Sequence, residues 1–294
     1  SFQYFPAIPI SHSRDMVHWH IIGHAITNPE WLDLSDIRDS HGIWAPDIEY
    51  VDGKYYIYVT LRLNADGKRD NNVMRRQLVM VSDKPEGPYS KPVCLEVDDI
   101  DPSLFVDDDG TPWMSWGNGT CFLVKLKPNM TELDGNIEIL KMPKFVEGPW
   151  IHKRGNLYYL TYASMGKGRE TISYATAPSM DGPWTYRGVL TGMAENSFTI
   201  HPGIIEFKGQ NYLFYHNAIL TIDSKSGATG RRSVCIDYLY YLPDGRMAYV
   251  EQTKEGITVK PKTAAEVAEI VNPYTDEEEV VVEIVQNDTE SRKN

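Results

Sequence analysis

The sequence predicts an all-β fold, a five-bladed β-propeller with an incomplete first blade, and three observations carry this. Apolar residues scarcely recur at the 3.6-residue helical period before Thr263-Ala-Ala-Glu-Val-Ala268. Short runs rich in Val, Ile, Tyr and Trp, bounded by Asp-Gly, Lys-Gly or Pro-Gly, fill the chain instead. A unit of strand, tight turn and strand also occurs four times. Its turn glycines, Gly53, Gly110, Gly155 and Gly209, lie 57, 45 and 54 residues apart, a spacing that suits one four-stranded sheet per repeat.

Taken in order, the four first strands start at Ala45-Pro-Asp, Asp101-Pro-Ser, Glu147-Gly-Pro and His201-Pro-Gly. Each runs into its turn and then into an aromatic-rich second strand, such as Lys54-Tyr-Tyr-Ile-Tyr-Val or Gln210-Asn-Tyr-Leu-Phe-Tyr. The outer half of the unit has its own signature, a turn closed by an aromatic residue, in Val81 to Tyr89 and Ala175 to Trp184. Ile10 to Trp19 is a third version, expected to belong to a blade whose first strand is not in the chain. The tally is four full blades and the outer part of a fifth. Residues 1–262 form this propeller domain, and 263–294 an acidic tail. In the tail, Val280-Val-Val-Glu-Ile-Val285 reads as a linker in preference to a strand on an open edge.

Composition narrows the function. The 294 residues are 41% hydrophobic and unusually rich in tyrosine, with 18 Tyr beside 7 Trp and 8 Phe, which suits strands and sugar-like partners. Lys plus Arg number 29 against 41 Asp plus Glu, a net charge of −12, and seven of the acids follow Tyr274. No basic footprint for nucleic acid results. No run approaches the ~18 apolar residues of a membrane span, and the N-terminus lacks the parts of a signal peptide. Cys94, Cys121 and Cys235 are too dispersed for a disulfide scaffold or zinc site and read as small apolar residues. Phosphate-loop, dinucleotide, zinc-protease and serine-elbow motifs are all missing. Asp107-Asp-Asp-Gly110 reads as a β-turn in preference to a calcium loop.

The first strand of a blade lines a propeller's axis, so Ala45, Asp101, Glu147 and His201 are expected to face one funnel. A polar plug would be the structural reading of the three titratable groups, since buried polar groups need partners. Carboxyls across a cavity point to glycoside chemistry. Glu147 is the better general acid, because Trp150 beside it favours desolvation and a raised pKa. Asp101 then tunes that acid, and Pro102 keeps its strand start extended. His201 either hydrogen-bonds an acid or coordinates a hydrated calcium on the axis; no cofactor is required. Tyr4, Phe5, Trp44 and Trp150 are candidate sugar platforms. Arg231 and Arg232 follow a flexible Ser-Gly stretch and are candidates to reach a sugar hydroxyl.

These residues resemble glycoside hydrolase family 43, the five-bladed hydrolases of xylan and arabinan side chains. The likeness lies in Ser1-Phe-Gln-Tyr-Phe-Pro-Ala-Ile-Pro-Ile-Ser-His-Ser-Arg-Asp15, His41-Gly-Ile-Trp-Ala-Pro-Asp47, Ile100-Asp-Pro-Ser-Leu-Phe105, Glu147-Gly-Pro149, His201-Pro-Gly203 and Arg231-Arg-Ser-Val-Cys-Ile-Asp237. The resemblance implies an inverting β-xylosidase or α-L-arabinofuranosidase acting on plant cell-wall saccharides, with Glu147 as acid and Asp101 as pKa modulator. It places an Arg of the Arg-Arg-Ser stretch on the substrate, and its substrate class favours a secreted or periplasmic setting. The family's base Asp lies some twenty residues before Phe5-Pro6 and so precedes Ser1. Neither Asp15 nor Asp47 takes its place, and this chain is expected to be inactive for want of it. The alternative is a carbohydrate-binding propeller without turnover.

Overall fold

The computed structural model describes residues 7–27, 42–64, 73–228, 230–275 and 277–287. Two compact units divide the chain. The first comprises Ser1–Asn118, Phe122–Glu138 and Gln286–Asn294, and the second Gly119–Cys121 and Ile139–Val285.

The first unit opens with a ribbon of β1 (Ala7–Ser13) and β2 (Trp19–Ile26). Next comes a sheet of β3 (Gly42–Val51), β4 (Lys54–Asn64), β5 (Val73–Ser82) and β6 (Val93–Leu95), paired in chain order. The following sheet, most of whose residues belong to this unit, holds β7 (Ser103–Val106), β8 (Pro112–Trp116), β9 (Cys121–Leu126) and β10 (Leu133–Leu140), with β19 (Ile284–Gln286) next to β10. Successive side chains point to opposite faces, and burial of both faces explains why these strands look almost continuously apolar. On β4 and β5, Ile57, Val59, Leu78 and Met80 pack against Ile8, Ile10 and Ile26 of the ribbon. The intervening Tyr58 and Val79 face the other way, onto Leu104, Met114, Trp116 and Val124.

The second unit holds two sheets. One is β11 (Phe145–Arg154), β12 (Leu157–Met165), β13 (Glu170–Ala177) and β14 (Thr185–Thr191), with β18 (Val280–Val281) on its edge. The other is β15 (Gly203–Phe207), β16 (Gln210–Asn217) and β17 (Ser233–Leu239). Tyr159, Ile172, Tyr174 and Leu190 of the former meet Ile204, Leu213, Tyr215 and Leu239 of the latter in one core.

The four repeat units are the first hairpins of these four sheets. Asp52-Gly53 and Lys208-Gly209 take positive φ at both central positions, the geometry of the two-residue turn whose twist matches the flanking strands. Asp107 to Gly110 is a β-turn closed by Gly110 N–H to Asp107 O at 2.9 Å. The aromatic residue of the outer signature caps its own turn. Tyr89 Oη donates to Pro85 O at 2.8 Å, Trp184 Nε1 to Met180 O at 3.2 Å, and Trp19 Nε1 to Met16 O at 2.8 Å. The one α-helix among the described residues, α1 (Ala264–Ala268), starts at a capping box of Thr263 and Glu266.

Three expectations are corrected. The architecture is an all-β propeller type, but with four blades rather than five among the described residues. The β1–β2 ribbon stands where the incomplete blade was expected and supplies two strands of it. The tail is not simply a linker: β18 pairs with β14, and Val282 N–H donates to Trp184 O at 2.8 Å. Finally, Asp101 is not extended before its proline. It sits at φ +62, a left-handed conformation that Asp tolerates better than most residues. The cysteines are free, Cys121 buried and Cys94 exposed.

Candidate active site

In the second unit, Glu147 comes into place through a break in strand register. The β11–β12 pairing shifts between Phe145 and Glu147 and again between Glu147 and Trp150. Between them Gly148 takes φ +62 ahead of Pro149. Ala45 before Pro46 and Asp101 before Pro102 have the same left-handed turn, at φ +41 and +62. The kink therefore aligns Gly148, not Glu147, with Ala45 and Asp101. Glu147 stands one residue earlier than the sequence repeat places it.

That bulge turns the Glu147 carboxyl toward His201. Oε1 lies 2.8 Å from His201 Nε2, with the two side chains only 14% and 24% exposed. Of the two roles expected for His201, the structure shows the hydrogen bond to an acid. Glycine is favoured at 148 on two counts, since a Cβ there would lie 3.2 Å from the His201 ring in a backbone conformation L-residues rarely adopt.

Two residues that sequence reasoning passed over complete the cluster. Glu170, at the start of β13, is 4% exposed and accepts from Ile200 N–H through Oε2 at 3.0 Å. Burial, then the nearby Glu147 charge, push its carboxyl up to about 7, against the pull of His201 and Arg232. His216 on β16 meets Thr199 Oγ1 at 3.2 Å, its ring centroid 6.1 Å from that of His201. Burial and then Arg232 hold its imidazole down at about 4, so it is neutral at neutral pH. Arg232 thus acts on this cluster although its side chain is exposed, whereas Arg231 is exposed on the turn after Ala228.

The cluster has the chemistry to handle a proton. A buried carboxyl, an imidazole on one of its oxygens and a second carboxyl with a raised pKa can together hold or release a proton near neutrality. It is a poor calcium cage by itself. Calcium takes ~6–8 oxygen ligands, whereas Glu147 already engages the imidazole and Glu170 the Ile200 amide.

The remaining candidates divide. Asp101 belongs to the first unit, where it is 5% exposed. Its N–H donates to Thr60 Oγ1 at 3.1 Å, and that hydroxyl bonds Gln77 Oε1 at 3.1 Å. Trp44 is half-buried on β3, paired in register with the same Thr60. Trp150 packs against the core of the second unit. Tyr4 and Phe5 lie outside the described residues. Asp47 is buried and accepts from Leu104 N–H at 2.8 Å, with burial raising its pKa to about 6. Asp15 closes an exposed turn by accepting from Val17 and His18 N–H. Both aspartates thus accept hydrogen bonds from backbone amides.

Comparison with known proteins places this geometry in a family. The model for glycosyl hydrolases family 43 matches residues 1–247. A xylan 1,3-beta-xylosidase of a Vibrio species is 32% identical over 205 residues, covering 63% of this chain and 37% of that protein. A non-reducing end alpha-L-arabinofuranosidase of Bacteroides ovatus is 33% identical over 212 residues, covering 69% and 38%. The chain thus spans less than two fifths of either relative. Among solved structures, a GH43 protein of Bacillus licheniformis superposes with a TM-score of 0.67 at 36% identity, covering 84% of this chain and 50% of that one. A GH43_1 enzyme of Xanthomonas citri complexed with xylose gives 0.64 at 27% identity, covering 79% and 77%.

Proposed function

The chain belongs to the glycosyl hydrolases of family 43, and from that premise we propose that it releases xylose or arabinofuranose from xylan- or arabinoxylan-type plant saccharides with inversion. The observation that carries this reading is the Glu147 carboxyl, mostly buried and held 2.8 Å from His201 beside Glu170. In it, Glu147 gives its proton to the glycosidic oxygen as the bond to the anomeric carbon breaks. His201, with Nε2 on Oε1, orients the carboxyl and leaves Oε2 to carry the proton that is transferred. Water adds to the opposite face of the sugar. Asp101 is proposed as the modulator that the family resemblance implies, and Arg232 as the cation nearest the substrate. The carboxylate that activates the water is not assigned to any described residue.

Release of sugar from nitrophenyl xyloside and nitrophenyl arabinofuranoside, run beside calorimetric titration with xylo-oligosaccharides, tests the proposal. Release by the chain, lost in Glu147→Gln by ~10²–10⁴-fold on substrates with poor leaving groups, supports it. Binding without release would support the carbohydrate-binding reading instead, and neither would overturn both.

A further inference from the structure

We infer that Glu170 is a positioning residue for the acid: it holds residues 198–200 so that His201, the next residue, meets the Glu147 carboxyl. The inference deepens the proposed function and rests on it for the role of Glu147, but its geometry stands alone.

Glu170 grips this segment at two points. Its own N–H donates to Phe198 O at 3.0 Å, and its Oε2 accepts from Ile200 N–H at 3.0 Å. The segment is thereby tied to the first residue of β13 by backbone and side chain together, much as an added strand would be. The Ile200 side chain, fully buried in the core with Ile172 and Tyr174, fixes the depth of the segment but not its register. Register is what decides where the His201 ring falls, because the ring has little room. The Gly148 backbone approaches it closely on one side, and Glu147 Oε1 lies 2.8 Å from Nε2 on another. Thr199, between the two anchored residues, extends the same alignment to His216.

A merely space-filling role does not explain a carboxyl here. Glu170 is 4% exposed, and burying an acid costs free energy that an apolar side chain of similar volume would avoid. The hydrogen bond to Ile200 N–H is what the polar head contributes, and glutamine would preserve it. Reach is equally specific, since aspartate, one methylene shorter, would leave the Ile200 amide without this acceptor.

The test compares the full chain with Glu170→Gln, Glu170→Leu and Glu170→Asp, each with and without Glu147→Gln. The readout is the His201 imidazole Cε1–H resonance at fixed pH, assigned through His201→Gln. With Glu170 or Gln at this position, Glu147→Gln is expected to shift the His201 signal. With Leu or Asp, that shift is expected to fall severalfold, because the ring no longer sits on the carboxyl. Where the Leu variant fails to fold, the Asp variant makes the same comparison with the charge retained. On nitrophenyl glycosides, Leu and Asp are expected to lower kcat by ~10²-fold with KM changed by less than about threefold, and Gln to restore kcat. An undiminished His201 response to Glu147→Gln in the Leu and Asp backgrounds overturns the inference. Absence of turnover in the unmodified chain would instead remove the functional reading, and the His201 signal would still decide this one.

Discussion

Gly148 shows how much of the site depends on a single backbone angle. Alanine there must either hold φ +62 against its Cβ, at about 1 kcal/mol, or relax the bulge. It also meets the His201 ring at 3.2 Å. Gly148→Ala is therefore expected to move His201 off Glu147 and lower kcat ~10–100-fold with a small loss of melting temperature, measured by steady-state kinetics and thermal denaturation. Asp47 and Glu49 make a different kind of prediction. Burial raises Asp47 to about 6; burial and then the Asp47 charge raise Glu49 to about 8. An acid whose folded pKa exceeds its unfolded value favours the native state while protonated. That contribution is present below about pH 4 and is lost as pH rises through 6 and then 8. Asp47→Asn, which keeps an acceptor for Leu104 N–H, is expected to flatten the decline of denaturant midpoint between pH 5 and 8. An unchanged slope would show that the pair does not govern stability there.

At the level of elements, the recurring device is a residue with left-handed backbone before proline at the start of an inner strand. It breaks the register between Trp44 and Asp47 on β3 and around Gly148 on β11, and so turns the preceding side chain out of the pleat. The outer edges are closed differently, by the tail. Val282 is buried, its N–H bonded to Trp184 O, while Glu283 O accepts from Lys141 N–H at 2.9 Å. The Val282 and Lys141 amides are expected to exchange slowly, and Val282→Ala to cost about 1–2 kcal/mol in chemical denaturation. Rapid exchange at both amides would contradict the pairing. A hydroxyl staple joins β4 to the β9–β10 turn: Tyr58 is fully buried and its Oη donates to Met130 O. Tyr58→Phe leaves that carbonyl short of a donor, with an expected loss of ~1–2 kcal/mol in the same assay.

Across the whole molecule, the −12 charge is the dominant electrostatic fact, and it gathers in the tail that borders β10 and β14. Lys141, Lys144 and Arg187 answer it through ion pairs with Glu283, Glu277 and Glu279. The Lys141–Glu283 pair is exposed on both sides and contributes little, while Glu277 and Arg187 are only 17% and 26% exposed. Self-repulsion of the surplus acids is the larger effect, so the melting temperature is expected to rise by a few degrees on raising salt from low to moderate ionic strength. A fall would mean that the ion pairs outweigh the repulsion.

The repeats were legible because a blade's hairpin is a local object. Asp52-Gly53 and Lys208-Gly209 specify their turns without help from distant residues, and alternating Ile, Val and Tyr specify the strands on either side. Glu147 and His201 were visible for the same reason, as polar residues at strand starts where the pattern calls for apolar ones. Glu170 and His216 were not, because Arg169-Glu170-Thr171 and Tyr215-His216-Asn217 look like ordinary solvent-facing strand ends. Whether such a side chain meets water or Ile200 N–H depends on which segment lies across it, and that segment is about thirty residues away in the chain. The one-residue offset of Glu147 was hidden too, since no residue pattern states that Gly148 will adopt φ +62. Local chemistry thus sufficed for the strands, the turns and the choice of Glu147 as the proposed acid. Packing between distant segments was needed to aim that acid at His201, because the aim is set by register and burial, and neither is a property of any short stretch of sequence.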